Sequence, residues 1–106
     1  MPRINTRDAA EFIAALEPFT SNGAIAADYD TAGAYVVRSY STAVAVIYPE
    51  HGRAILNGAK YSKTTSSHQH AARLGVARLG YEISELLQPE QFTEQTSHRA
   101  RIRTAN

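Results

Sequence analysis

Lys60 and Lys63 are the only lysines in the chain, and they share residues 60–70 with Ser62, Thr64, Thr65, Ser66, Ser67, His68 and His70. Clustered cations and hydroxyls bind phosphate or carboxylate groups, and a serine beside a histidine supplies a nucleophile and its base. The wider window, residues 51–81, holds Arg53, Lys60, Lys63, Arg73 and Arg78 and neither Asp nor Glu. A stretch of this kind is either the capped entrance of a helix or a surface for an anionic partner. The candidate contact residues are Lys60, Lys63, His70, Arg73 and Arg78.

Other chemistries fit the same residues less well. His68 and His70 are two apart, so a helix points them to opposite sides, whereas a shared metal needs ligands four apart. No carboxylate accompanies them, so no metal site or cofactor is expected. Ser62, Ser66 and Ser67 lie near His68, but helix capping explains these hydroxyls without invoking catalysis. There is no Gly-x-Ser-x-Gly elbow, phosphate loop or dinucleotide fingerprint. Asp28 and Asp30 sit in a turn-rich stretch and read as turn formers. No catalytic residue is assigned, and a non-enzymatic protein is expected.

At 106 residues the chain fits one domain. Its 43% apolar and 20% charged content is that of a globular protein. The absence of cysteine removes disulfides, thiolate zinc sites and cysteine nucleophiles, and agrees with a reducing cytoplasm. No apolar run reaches membrane-spanning length, and the polar start carries no signal-peptide pattern. Charge is uneven. Residues 1–50 are net acidic, residues 51–81 wholly basic, and the total is +1. That total argues against a dedicated nucleic-acid binder, yet it permits a local positive patch.

The elements that must position these groups follow from periodicity. Ala9, Phe12, Ile13 and Leu16 have helical spacing, with Asn5 or Thr6 as cap and Asp8 in the first turn. Glu17-Pro18 is expected to end that helix. Residues 24–27 form a short edge strand between turns. Residues 34–40 are rich in β-branched and aromatic types, and residues 43–48 are apolar almost throughout, as in a strand buried on both faces. Ser41-Thr42 suits a tight hairpin. Residues 53–56 form the next strand, Asn57-Gly58 gives a type I′ hairpin signal, and residues 59–62 return.

A second helix is expected from Thr65 or Ser66, with Ser66 and Gln69 spaced as a capping box. His68, Ala71, Ala72, Gly75, Val76 and Leu79 fall on one side, and Gln69, His70, Arg73 and Arg78 on the other. Its small residues would let it approach the sheet closely, with His68 turned inward to bond backbone. Ile83, Leu86 and Leu87 continue the apolar pattern in one helix or two. The fold expected is α+β: an N-terminal helix, an antiparallel meander of three to five strands and a C-terminal helix packed on the sheet. Residues 1–88 make the domain, and residues 89–106 a polar, flexible tail. An edge strand is a template for pairing with a second copy, so a homodimer is among the expectations.

The helix–strands–helix order, with Ser62-Lys63 ahead of His70-Ala71-Ala72, is similar to the double-stranded RNA-binding domain, which uses lysines at the start of its last helix. Thr64, Thr65, Ser66 and Ser67 replace that family's lysine cluster. A nucleic-acid-binding module using the basic 53–78 window is therefore the alternative reading.

Two further motifs, Tyr35-x-Val37-x-Ser39-Tyr40-x-Thr42-x-x-Ala45 and Asn57-x-x-Lys60-Tyr61-Ser62-x-Thr64-Thr65-Ser66-x-His68-Gln69, carry another resemblance. Residues 35–70 resemble a family of small uncharacterised proteins of bacteriophages and prophages. The resemblance implies an accessory protein, acting in the host cytoplasm, that binds and inhibits a host protein or protein–nucleic acid complex. Anti-restriction and anti-CRISPR inhibitors are of that class. It supplies no catalytic residues.

Overall fold

The computed structural model describes residues 1–86. A two-residue strand β1 (Arg3–Ile4) leads through a 3-10 turn at Thr6–Asp8 into helix α1 (Ala9–Ala14). Asn5 begins this entry by accepting the Arg7 N–H at 3.1 Å. Then come β2 (Thr20–Ser21), β3 (Ile25–Tyr29), β4 (Tyr35–Ser39), β5 (Thr42–Tyr48), β6 (Arg53–Asn57), α2 (Lys63–Leu79) and β7 (Glu82–Leu86). β1 and β2 pair in parallel as a small separate sheet. The main sheet has the order β3-β4-β5-β6-β7.

The fold is α+β, and β3 through β6 form the expected antiparallel meander. β7 departs from it by joining β6 in parallel. Parallel strands need a crossover, and α2 is that crossover. The helical pattern expected over Ile83 and Leu86 is therefore overturned: Gly80, at φ +70, closes α2, and the chain continues as strand. The return strand over residues 59–62 is absent too. Asn57-Gly58 makes no type I′ hairpin, because neither residue takes a positive φ. Instead Asn57 Oδ1 accepts the Ala59 N–H at 3.1 Å, and Gly58 N–H donates to Leu86 O at 2.7 Å. The asparagine turns the chain toward α2 through its own side chain.

Each face of the sheet carries a cluster of buried apolar residues. Tyr35, Val37, Ala45, Ile47, Ala54 and Leu56 form one core with Ala9, Ile13, Ala72 and Val76 of the helices. Ala34, Val36, Val46, Tyr48 and Ile55 form a second cluster with Ala43 and Leu86. This explains the unbroken apolar run of β5. The register slips between Val37↔Ala45 and Arg38↔Ala43, so Val44 is an extra residue, and Val44 and Ala45 enter the same core.

Two details of α1 differ from expectation. The helix stops at Ala14, before Glu17-Pro18, and Leu16 takes a left-handed φ of 55°. Tyrosines secure this exit: Tyr29 OH donates to Leu16 O and Tyr35 OH to Glu17 O, both at 2.8 Å. The close approach of small residues is to α1, not to the sheet, since Gly75 lies against Ile13. The outer edge of β3 is occupied by Phe19, which exchanges two backbone hydrogen bonds with Ala27. Among the described residues no helix is long and apolar enough to cross a membrane. The tail expected over residues 89–106 lies outside the described residues.

Candidate contact face on α2

α2 begins earlier than the capping-box pattern suggests. Ser62 is the N-cap, and its Oγ accepts the Thr65 N–H at 3.2 Å. Gln69 is consequently free of a capping duty. Its Nε2 reaches back to Asn57 O at 2.6 Å and Ala59 O at 2.9 Å, tying the preceding loop to the helix. The Asn57 turn is thus held from both sides, which fixes where the helix can start.

The helix sorts its residues much as the wheel implies. Thr65, His68, Ala72, Gly75 and Val76 are buried. Lys63, Ser66, Ser67, His70, Arg73, Leu74, Ala77 and Arg78 face solvent. None of its seventeen residues is acidic. Lys63, His70 and Arg78 recur at spacings that keep them on one side, a stripe about 22 Å long at the helical rise. Leu74, 46% exposed, lies between His70 and Arg78 along it. Lys60 is exposed in the loop just before, beside Tyr61, whose hydroxyl accepts from Asn57 Nδ2 at 3.0 Å.

One sequence-based expectation requires correction. The basic window lacks acids in sequence, but β7 supplies them in space. Arg73 pairs with Glu85, and Arg53 with Glu82 at 3.3 Å. Arg73 is therefore partly neutralised. Lys60, Lys63, His70 and Arg78 have no carboxylate partner among the described residues.

His68 is buried, as its place on the wheel implies, but its partner is a side chain from another element. Its Nδ1 lies 2.7 Å from Ser39 Oγ, at the end of β4. Ser39 Oγ also donates to Thr65 Oγ1 at 3.1 Å, and Ser62 Oγ donates to the same oxygen at 3.3 Å. Burial pushes the His68 pKa below its ordinary value. A serine within reach of a histidine has the geometry of a nucleophile and base, but Ser39 is fully buried and His68 only 4% exposed. No substrate reaches that oxygen without displacing α2. The serines near His68 in sequence are Ser62, Ser66 and Ser67. The actual contact spans 29 positions and leaves no local signal. Among the described residues no group of three metal-ligating side chains comes together.

The arrangement defines a small α+β domain that presents one acid-free helix face. The chain belongs to a family of unknown function, DUF8033, whose model matches residues 10–79. The match spans α1 through the end of α2 and so includes the contact face. No curated protein and no solved structure matches the chain.

Proposed function

We propose that this protein is a non-enzymatic accessory protein that binds an acidic surface of a host protein through α2 and inhibits it. A phage origin and an anti-defence role, anti-restriction or anti-CRISPR, are part of this reading and rest on the resemblance of residues 35–70. The observation that carries the binding surface is the stripe of Lys63, His70, Leu74 and Arg78 on a seventeen-residue helix without a carboxylate. Leu74 favours a protein partner. An exposed leucine among cations adds apolar burial at a protein interface but nothing to a phosphate backbone.

A nucleic-acid-binding module is the second reading, favoured by Lys60, Lys63 and the Ser62-capped helix start. Affinity capture from host lysate, analysed for both protein and nucleic acid, separates the two. The protein reading expects one saturable acidic partner, lost when Lys63 and Arg78 are reversed in charge. Recovery of nucleic acid alone, with affinity falling steeply as salt rises, sinks it.

A further inference from the structure

We propose that His68 is a pH-sensitive latch on the first turns of α2, which releases the end of the contact face carrying Lys60 and Lys63 when the imidazole takes up a proton. Four side chains connect the core to the helix cap. His68 Nδ1 meets Ser39 Oγ, Ser39 Oγ meets Thr65 Oγ1, and Thr65 Oγ1 accepts from Ser62 Oγ. Ser62 in turn caps the helix by accepting the Thr65 N–H. The neutral tautomer with its proton on Nδ1 fits this network: that N–H donates to Ser39 Oγ, Ser39 Oγ donates to Thr65 Oγ1, and Nε2 carries no proton.

It does not accommodate an imidazolium. A charged ring carries an N–H at both nitrogens, and His68 Nε2 has no hydrogen-bond partner among the described residues. The proton on Nε2 would be buried without an acceptor, and the charge without a counter-ion. Among the described residues no carboxylate is paired with the ring. On the helix-facing side of the sheet stand Tyr35 and Val37 of β4, Ala45 and Ile47 of β5, and Ala54 and Leu56 of β6. Tyr35 is the titratable group among them, and its hydroxyl is held by Glu17 O. Glu85 of β7 is engaged by Arg73, while Glu11 of α1 and Lys63 and His70 of α2 are exposed. Burial already holds the His68 pKa below its ordinary value, in keeping with this setting.

The fold determines where the strain is relieved. The second half of α2 is clamped, because Gly75 lies directly on Ile13 and Ala10 of α1. The first half follows the exposed residues Lys60, Tyr61 and Ser62, shows Lys63, Thr64, Ser66 and Ser67 to solvent, and is tied to the preceding loop by Gln69. Opening its first two turns admits water to Nε2 and dismantles the Ser62 cap, while the rest of the helix stays docked. Only the consequence for binding rests on the proposed contact face. Exchange tests the opening and partner capture tests the face, so the two fail separately.

The test is hydrogen exchange on the intact chain from about pH 7.5 to about pH 5, corrected for intrinsic rates, with the His68 ring followed by NMR in the same samples. Protection in the first two turns of α2 is expected to fall about tenfold or more as His68 titrates, with amides around Gly75 unchanged. His68→Gln keeps a side-chain amide to meet Ser39 and is expected to give a flat profile. His70→Gln should behave as the parent. Opening at the same pH in His68→Gln overturns the proposal, as does unchanged protection while His68 titrates. If His68→Gln does not fold, the parent chain decides: coincident midpoints for ring titration and opening support the latch, and separate midpoints overturn it.

Discussion

A Cβ added at Gly75 would stand 2.7 Å from both Cβ and Cγ2 of Ile13, and 2.9 Å from the carbonyl oxygen of Ala10. α2 thus crosses α1 with its backbone resting on a side chain, and glycine is the residue that lets it. This contact fixes the distal half of α2 to the N-terminal helix. Lys63, His70 and Arg78 are then displayed on the side turned away from α1 and the sheet.

Gly75→Ala is therefore expected to destabilise the protein. Alanine gains about 1 kcal/mol in helix propensity over glycine. Overpacking a tight contact costs about 1–3 kcal/mol. The second effect should win, because neither Ile13 Cβ nor a backbone oxygen is the loose end of a flexible side chain. Thermal unfolding should show a lower Tm, and an unchanged or raised Tm would disprove the close approach.

Stability should also fall in mild acid. His68 has a depressed pKa in the folded state, caused by burial, against about 6.5 when unfolded. The unfolded chain then binds the proton more readily. Stability is fully present above about 6.5 and is lost as pH falls from there through the folded-state pKa. Urea midpoints for the parent and His68→Gln, compared across this range, should converge as pH falls. A constant gap between them would contradict the assignment.

Much of this arrangement is legible in the sequence, and the exceptions share a physical cause. The meander from β3 to β6 is written in β-branched and apolar runs separated by short turns, and the buried side of α2 in the spacing of His68, Ala72, Gly75 and Val76. What local pattern misses is set by distant partners. Asn57-Gly58 has the composition of a hairpin, yet Gly58 N–H is taken by Leu86 and Asn57 by Ala43, Ala59 and Tyr61. Ile83 and Leu86 continue a helical period, yet β6 offers a free edge that pairs them as strand. The acid-free window is neutralised at Arg73 by Glu85, twelve positions away. Ser39 meets His68 only because β4 and α2 are stacked.

The Asn57 turn should be costly to disturb. Asn57 is 3% exposed, and its side chain donates to Ala43 O at 2.9 Å and Tyr61 OH at 3.0 Å besides accepting from Ala59. Asn57→Ala leaves the buried Ala59 N–H and the half-buried Ala43 O unpaired and should cost about 2–3 kcal/mol. Asn57→Asp keeps the acceptor for Ala59 but loses both donations, so it should be destabilised as well. Equilibrium urea unfolding measures both, and an aspartate variant as stable as the parent would show that the donations contribute nothing.

Charge reversal on α2 separates the contact face from the fold. Lys63 and Arg78 are exposed and have no carboxylate partner among the described residues, so Lys63→Glu and Arg78→Glu should each shift stability by no more than about 0.5 kcal/mol. Arg73→Glu is the informative contrast. It breaks the pair with Glu85 and places two carboxylates together, yet both groups are at least a third exposed, so water and salt hold the stability change to about 1 kcal/mol or less. If the unpaired stripe binds an acidic partner, Lys63→Glu and Arg78→Glu should weaken capture more than Arg73→Glu does, because Arg73 is already partly neutralised in the free protein. Leu74→Ala should weaken capture too, with little change in its salt dependence, since it removes apolar contact and no charge. Equal losses for all three arginine and lysine variants, with no effect at Leu74, would instead mark a diffuse attraction to anions, as expected of nucleic acid.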